Sequence, residues 1–169
     1  ILHANNGDSL EFDSQIYTHI ISSVAKDKGA SVIVLSRTSN GKALTGRLAI
    51  KMEAGSVSGA NALPDLTDGF TVSKSVYSGK SVVKYGINTV NKVISVMGNS
   101  IQPDLSGNEV TPESITISLP SSKLKVIEKK TSEGIVPLPE AELVVSAGRG
   151  MKGPENWGMV EELATLLGA

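Results

Sequence analysis

A chain of 169 residues has room for one core and part of another, and with 16 Lys and Arg against 17 Asp and Glu its net charge is −1, without the basic excess of a nucleic-acid-binding module. Cysteine is absent, which excludes a disulfide framework, a thiolate metal site and a cysteine nucleophile, and suits a reducing compartment. No apolar run is long enough to span a bilayer, no like-charge tract marks a disordered tail, and residues 1–4 are not the start of a signal peptide.

The first elements alternate between strand and helix. Ile16, Tyr17, Ile20, Ile21 and Val24 recur at helical spacing and predict a helix over 14–28, ended by Gly29. Residues 31–35 are a short β-branched run that fits a strand covered on both faces. A second helix takes Leu44, Leu48, Ala49 and Met52 into its apolar face, with Ser39 or Asn40 as its cap. This order predicts a parallel sheet with right-handed crossovers.

The character changes near Gly55. Segments 56–63, 70–77, 80–88 and 92–97 read as strands with no helix between them, and Ser78-Gly79 as a hairpin turn. Residues 98–113 are a polar loop. Alternation at Ile115, Ile117 and Leu119, and at Leu124 and Val126, predicts two more short strands. Residues 132–139, with Gly134, Pro137 and Pro139, form the linker. A final buried strand over 142–146 leads into a Gly-Arg-Gly turn and a helix opening after Gly153-Pro154. That last unit cannot bury its own faces, so it is expected to begin a second domain. The organisation is thus an incomplete α/β domain over 1–138 and the truncated start of another over 139–169.

Ligands of open parallel sheets sit beyond the carboxyl ends of strands. That rule selects three loops: 4–7, 36–42 and 146–150. The last two each carry a glycine and a cation before a helix, whose free N–H groups could hold a phosphate; a turn-and-cap reading explains 36–42 equally well. In the third loop Arg149 lies between two glycines that let the backbone approach a ligand. Nothing resembles a hydrolytic or metal centre. His3 and His19 read as tolerated or hydrogen-bonded histidines, and Asp65, Asp68 and Asp104 as turn residues. Glu161 and Glu162 fit a solvated helix face, and Lys123, Lys125, Lys129 and Lys130 a solvated strand face. Trp157 and Met159 read as packing residues. Val160, Leu163, Ala164 and Leu167 form an apolar stripe on the last helix that is expected to pack on a second copy or fold back, so self-association is expected.

The segment Val144-Val-Ser-Ala-Gly-Arg-Gly-Met-Lys-Gly-Pro-Glu-Asn156, with the amphipathic helix after it, closely resembles the electron-transfer flavoprotein α subunit. Upstream, Tyr17-Thr-His-Ile20, Ser39 to Ala49, Ser75 to Lys80 and Lys92 to Val96 look like the second half of that family's amino-terminal domain. The resemblance implies an α/β fold with a mixed, partly parallel sheet flanked by helices and an antiparallel extension. This fold is Rossmann-like, of the adenine nucleotide α-hydrolase-like kind, with one strand–helix unit of a second domain. It implies an electron carrier rather than an enzyme, with FAD as cofactor. Electrons would pass from dehydrogenases, such as the acyl-CoA dehydrogenases of fatty acid β-oxidation, to a membrane quinone oxidoreductase. It implies a heterodimer with a β subunit that carries AMP, in the bacterial cytoplasm or the mitochondrial matrix. Arg149 is the one position matching a family FAD contact. The family's earlier strand–helix units and most of its FAD-holding loops have no counterpart here, so FAD is not expected on this chain alone. A different-class alternative is a stand-alone ATP/AMP-binding stress-type α/β domain using loop 36–42; a third is a ligand-free structural piece.

Overall fold

The computed structural model describes residues 1–5, 11–104, 106–128, 130, 136–138 and 141–169. They fall into two compact units, Ile1–Ile127 and Glu128–Ala169.

In the first unit, helix α1 (Ser14–Asp27) begins at Asp13, whose carboxylate accepts the N–H groups of Gln15 and Ile16 and so satisfies donors a helix start leaves free. It ends where Gly29, at φ +66°, turns left-handed, the backbone state that costs glycine least. Strand β2 (Val32–Ser36) leads into α2 (Ser39–Lys51), then β3 (Gly55–Ala60), β4 (Thr71–Val76), β5 (Ser81–Gly86) and β6 (Lys92–Val96). The five strands lie in the order β2-β6-β3-β4-β5. β6 runs parallel to both β2 and β3, and β4 and β5 continue the sheet antiparallel. The predicted mixed sheet with an antiparallel extension is therefore present.

The inserted strand β6 is the centre of the core. Val93 faces Ala25, Ile33, Leu44 and Leu48 under the helices; its neighbour Ile94 faces Val57, Ala60, Val72 and Ile87. Alternation along a strand sends successive side chains to opposite faces, so one β-branched run serves both clusters. Leu48, Val93, Ile94 and Val72 are fully buried. Each such side chain contributes roughly 1.5–3 kcal/mol by leaving water.

The β4–β5 hairpin turns at Ser78 and Gly79, with φ +55° and +83°, and the Lys80 N–H closes it on the Tyr77 carbonyl at 3.2 Å. Positive φ at both central positions gives the twist that antiparallel partners need.

Several expectations are corrected. Strand β2 is not covered on both faces: Ile33 is buried against the helices, while Val32 and Val34 on the other face are 39% and 58% exposed. The cap of α2 is Thr38, whose Oγ1 accepts the Gly41 N–H at 3.2 Å; Ser39 and Asn40 already lie inside the helix. In place of a strand over 115–119 there is a short β7 (Glu113–Ile115), paired parallel with β1 (Leu2–Ala4) in a separate two-stranded sheet. Residues 124–126 form no strand. Leu124 and Val126 are exposed, and the Leu124 N–H is taken by the Ser122 hydroxyl instead of a neighbouring strand. Lys123 and Lys125 are exposed as expected but lie on no strand face, and Lys129 is outside the described residues. Most of the expected linker, 132–139, falls outside them too; 136–138 are described.

In the second unit the terminal helix forms as α3 (Gly158–Leu167), closed by Gly168 at φ +69°. It opens later than Pro154, which instead starts a single 3-10 turn, Pro154–Asn156. The strand expected over 142–146 is absent. A parallel strand is made by bonds to neighbours, and periodicity alone cannot supply them. None of this unit's described residues is buried; Trp157 is 45% and Met159 70% exposed, so neither packs in a core.

Candidate functional site

Loop 36–42 sits at the carboxyl end of β2. Gly41 packs so tightly on the strand end that a Cβ would run into the Ser36 carbonyl. Behind it, Arg37 lays its side chain against Gly59, where β3 bulges and φ is +87°; a Cβ on Gly59 would stand 3.1 Å from the Arg37 Nε. Nη1 of Arg37 donates to the Met97 Sδ at 3.3 Å, while its Nε is buried without a partner among the described residues. Ser95, fully buried, accepts the Gly59 N–H at 3.3 Å and donates to the Ser58 hydroxyl at 3.1 Å. The loop is thus a turn and helix cap locked against the bulge of β3.

Loop 146–150 lies in the second unit. Gly148 precedes a 3-10 turn, Arg149–Met151, and Lys152 follows at φ +64°. Asn156 clasps the loop by donating from Nδ2 to the Met151 carbonyl at 3.0 Å. A Cβ on Gly148 or Gly150 would meet nothing within 4 Å, and Arg149 is exposed with no side-chain partner among the described residues. The Gly-Arg-Gly turn therefore presents a guanidinium that has no side-chain partner among the described residues, on a backbone with open space beside both glycines. Of loop 4–7, Asn5 bonds the Ile115 carbonyl at 3.1 Å, and Asn6 and Gly7 lie outside the described residues.

The other candidates take structural roles. His19 Nε2 bonds the Ser118 carbonyl at 3.0 Å, and His3 lies exposed on β1. Asp65 and Asp104 accept the N–H groups of Thr67 and Ser106, which holds both carboxyls below their ordinary range; the side-chain hydroxyls two residues on are the main cause. Among the described residues no three His, Asp or Glu side chains group to hold a metal, and no helix is long and apolar enough to cross a membrane.

Sequence reasoning missed two features. Asp13 caps α1 by accepting two N–H groups, and its signal was a short acceptor just ahead of the helical period. Gly59 had no signal, since its role depends on a partner 22 positions away.

The first unit is thus a mixed α/β sheet domain of Rossmann-like fold, with a glycine loop at a strand end, and a second glycine turn precedes α3. The chain belongs to the electron transfer flavoprotein family, with the features of an alpha subunit: residues 1–128 match the electron transfer flavoprotein domain, and residues 137–169 the electron transfer flavoprotein FAD-binding domain. It is 27% identical over 173 residues to the electron transfer flavoprotein subunit alpha of Bacillus subtilis (strain 168), covering 100% of this chain and 53% of that one. A putative electron transfer flavoprotein subunit, YdiR, of Escherichia coli (strain K12) is 29% identical over 157 residues, 90% of this chain and 50% of its own. The subunit alpha of Mycobacterium leprae (strain TN) is 26% identical over 155 residues. The chain spans about half the length of the curated relatives it matches.

Proposed function

We propose that this chain is part of the alpha subunit of a heterodimeric, FAD-dependent electron carrier rather than an enzyme. In this reading it receives electrons from dehydrogenases, such as acyl-CoA dehydrogenases, and passes them to a quinone oxidoreductase. The observation that carries the reading is the match, in order along one chain, of the electron transfer flavoprotein domain and the FAD-binding domain. In this reading the chain holds two domains, 1–138 and 139–169, joined through the linker 132–139. The partner is a β subunit, and the setting is the bacterial cytoplasm or the mitochondrial matrix.

The Gly148-Arg149-Gly150 turn fits one polar edge of a flavin: a free cation, two glycines with open space above them, and a backbone without side-chain cover. FAD, when bound, takes up and releases electrons, and the protein supplies placement and electrostatics. Arg149 would contribute a fixed positive charge where negative charge accumulates. One such turn is far short of the buried, converging surface a large cofactor requires. This chain alone is therefore expected to be colourless after desalting. A stoichiometric flavin absorbance would overturn the assignment of the remaining cofactor contacts to other parts of the flavoprotein.

A further inference from the structure

Helix α2 carries Lys42, Arg47 and Lys51 and no acidic residue, in a chain whose net charge is −1. All three cations line one open groove of about 770 Å³ between α1 and α2. Lys51 lies nine helical steps beyond Lys42, so the two span about 14 Å along the groove. No ion pair joins any of the three to an acid among the described residues. Arg47 acts through space on Asp13, whose carboxylate is already bonded to the Ser122 hydroxyl and to the Gln15 and Ile16 N–H groups. The facing wall is uncharged at Gln15 and Thr18, and His19 is already bonded to the Ser118 carbonyl.

Between Arg47 and Lys51 stands Ile50, an aliphatic side chain 84% exposed, and Gly46 leaves open space where a side chain would otherwise fill the groove. An apolar residue held out among three cations that have no ion pair among the described residues is the composition of a docking surface: the charges steer and orient, and the apolar group supplies the burial. No aromatic side chain lines the groove to stack a base, and a groove of this length exceeds what a single phosphate fills.

We propose that the α1–α2 groove docks an acidic protein segment that lays an aliphatic side chain against Ile50. Carboxylates at helical spacing meet Lys42, Arg47 and Lys51, and the aliphatic group covers Ile50. The proposal does not depend on the electron-carrier reading, since it uses only the charge and shape of this helix pair.

The test is fluorescence anisotropy with the whole chain and a labelled helical peptide of about 15 residues, rich in Glu with one central Leu, long enough to hold a helix when bound. Binding is expected at low salt, weakening as ionic strength rises. Lys42→Glu with Lys51→Glu is expected to weaken it about tenfold, Lys42→Gln with Lys51→Gln less, and Ile50→Ser several-fold. Circular dichroism of each variant checks that it is folded, and the substituted side chains are all exposed. Absence of binding by the wild-type chain overturns the proposal. So does unchanged affinity when the peptide's Leu becomes Ser and Ile50→Ser is also silent, which marks plain charge attraction. Displacement of the peptide by equimolar single-stranded DNA, or by millimolar inorganic phosphate at fixed ionic strength, assigns the groove to another ligand and overturns it as well.

Discussion

The Ser122 hydroxyl donates to the Asp13 carboxylate at 2.6 Å, tying residue 122 to the first turn of α1 across 109 positions of chain. The same carboxylate caps the helix, so one aspartate fixes both the start of α1 and the path of the segment after β7. With the Ser122 hydroxyl as the main cause, opposed by burial and helped by the Gln15 and Ile16 N–H groups and by Arg47, the Asp13 carboxyl sits below its ordinary range. Asp13→Ala is expected to lower the thermal midpoint more than Ser122→Ala, because it removes the cap as well as the tie. A depressed carboxylate stabilises the fold above its unfolded-state pKa, and that stabilisation is lost as pH falls through the ordinary aspartate range to the lower folded value. Thermal midpoints of wild type and Asp13→Ala should therefore converge on acidification; a constant gap would remove the ionised carboxylate from the account.

Leu48 is fully buried between the helices and β6, whereas Leu166 on α3 is 82% exposed. Leu48→Ala is expected to cost about 2–5 kcal/mol in denaturant unfolding, and Leu166→Ala within about 0.5 kcal/mol of nothing. Equal effects would mean that α3 is covered in solution.

Glycines separate by what surrounds them. Gly59→Ala forces a side chain into a left-handed backbone and against Arg37, and is expected to cost more than about 1 kcal/mol. Gly46 lies in the interior of α2 with open space around it, so Gly46→Ala is expected to stabilise by about 0.4–1 kcal/mol. Chemical denaturation of the pair reads both signs.

Arg149→Ala, made in a longer flavoprotein that contains this segment, is expected to lower the flavin's reduction potential or weaken FAD retention. A charge-assisted contact of about 1–3 kcal/mol sets the scale. Redox titration with both quantities unchanged would leave Arg149 a structural residue and the glycines alone important.

Leu163 and Leu167 are about half exposed and Val160 and Ala164 partly buried, in a unit with no buried residue among those described. Sedimentation is expected to show self-association, relieved by deletion of residues 140–169; a clean monomer would show that these side chains stay in water. Calorimetry with AMP and ATP is expected to show no binding at loop 36–42, since the Thr38 cap already occupies the Gly41 N–H. Micromolar affinity lost in Lys42→Ala would favour the stress-type nucleotide-binding alternative.

The sequence by itself determined the elements whose signal is local. Helical period placed α1 and α2, although neither amino-terminal cap was found, β-branched runs placed β2 and β6, and Ser78-Gly79 placed the hairpin turn; the glycine-rich terminal motif was enough to carry the family resemblance. What tertiary structure decided is whatever needs a partner remote in the chain. Leu124 and Val126 alternate as a strand does, yet the nearby acceptor is a serine hydroxyl. Residues 142–146 are as apolar as β6, but β6 is inserted between two parallel neighbours and 142–146 have none among the described residues. Strand character is a property of paired backbones, so a run of side chains can propose a strand and only a neighbouring edge can make it one.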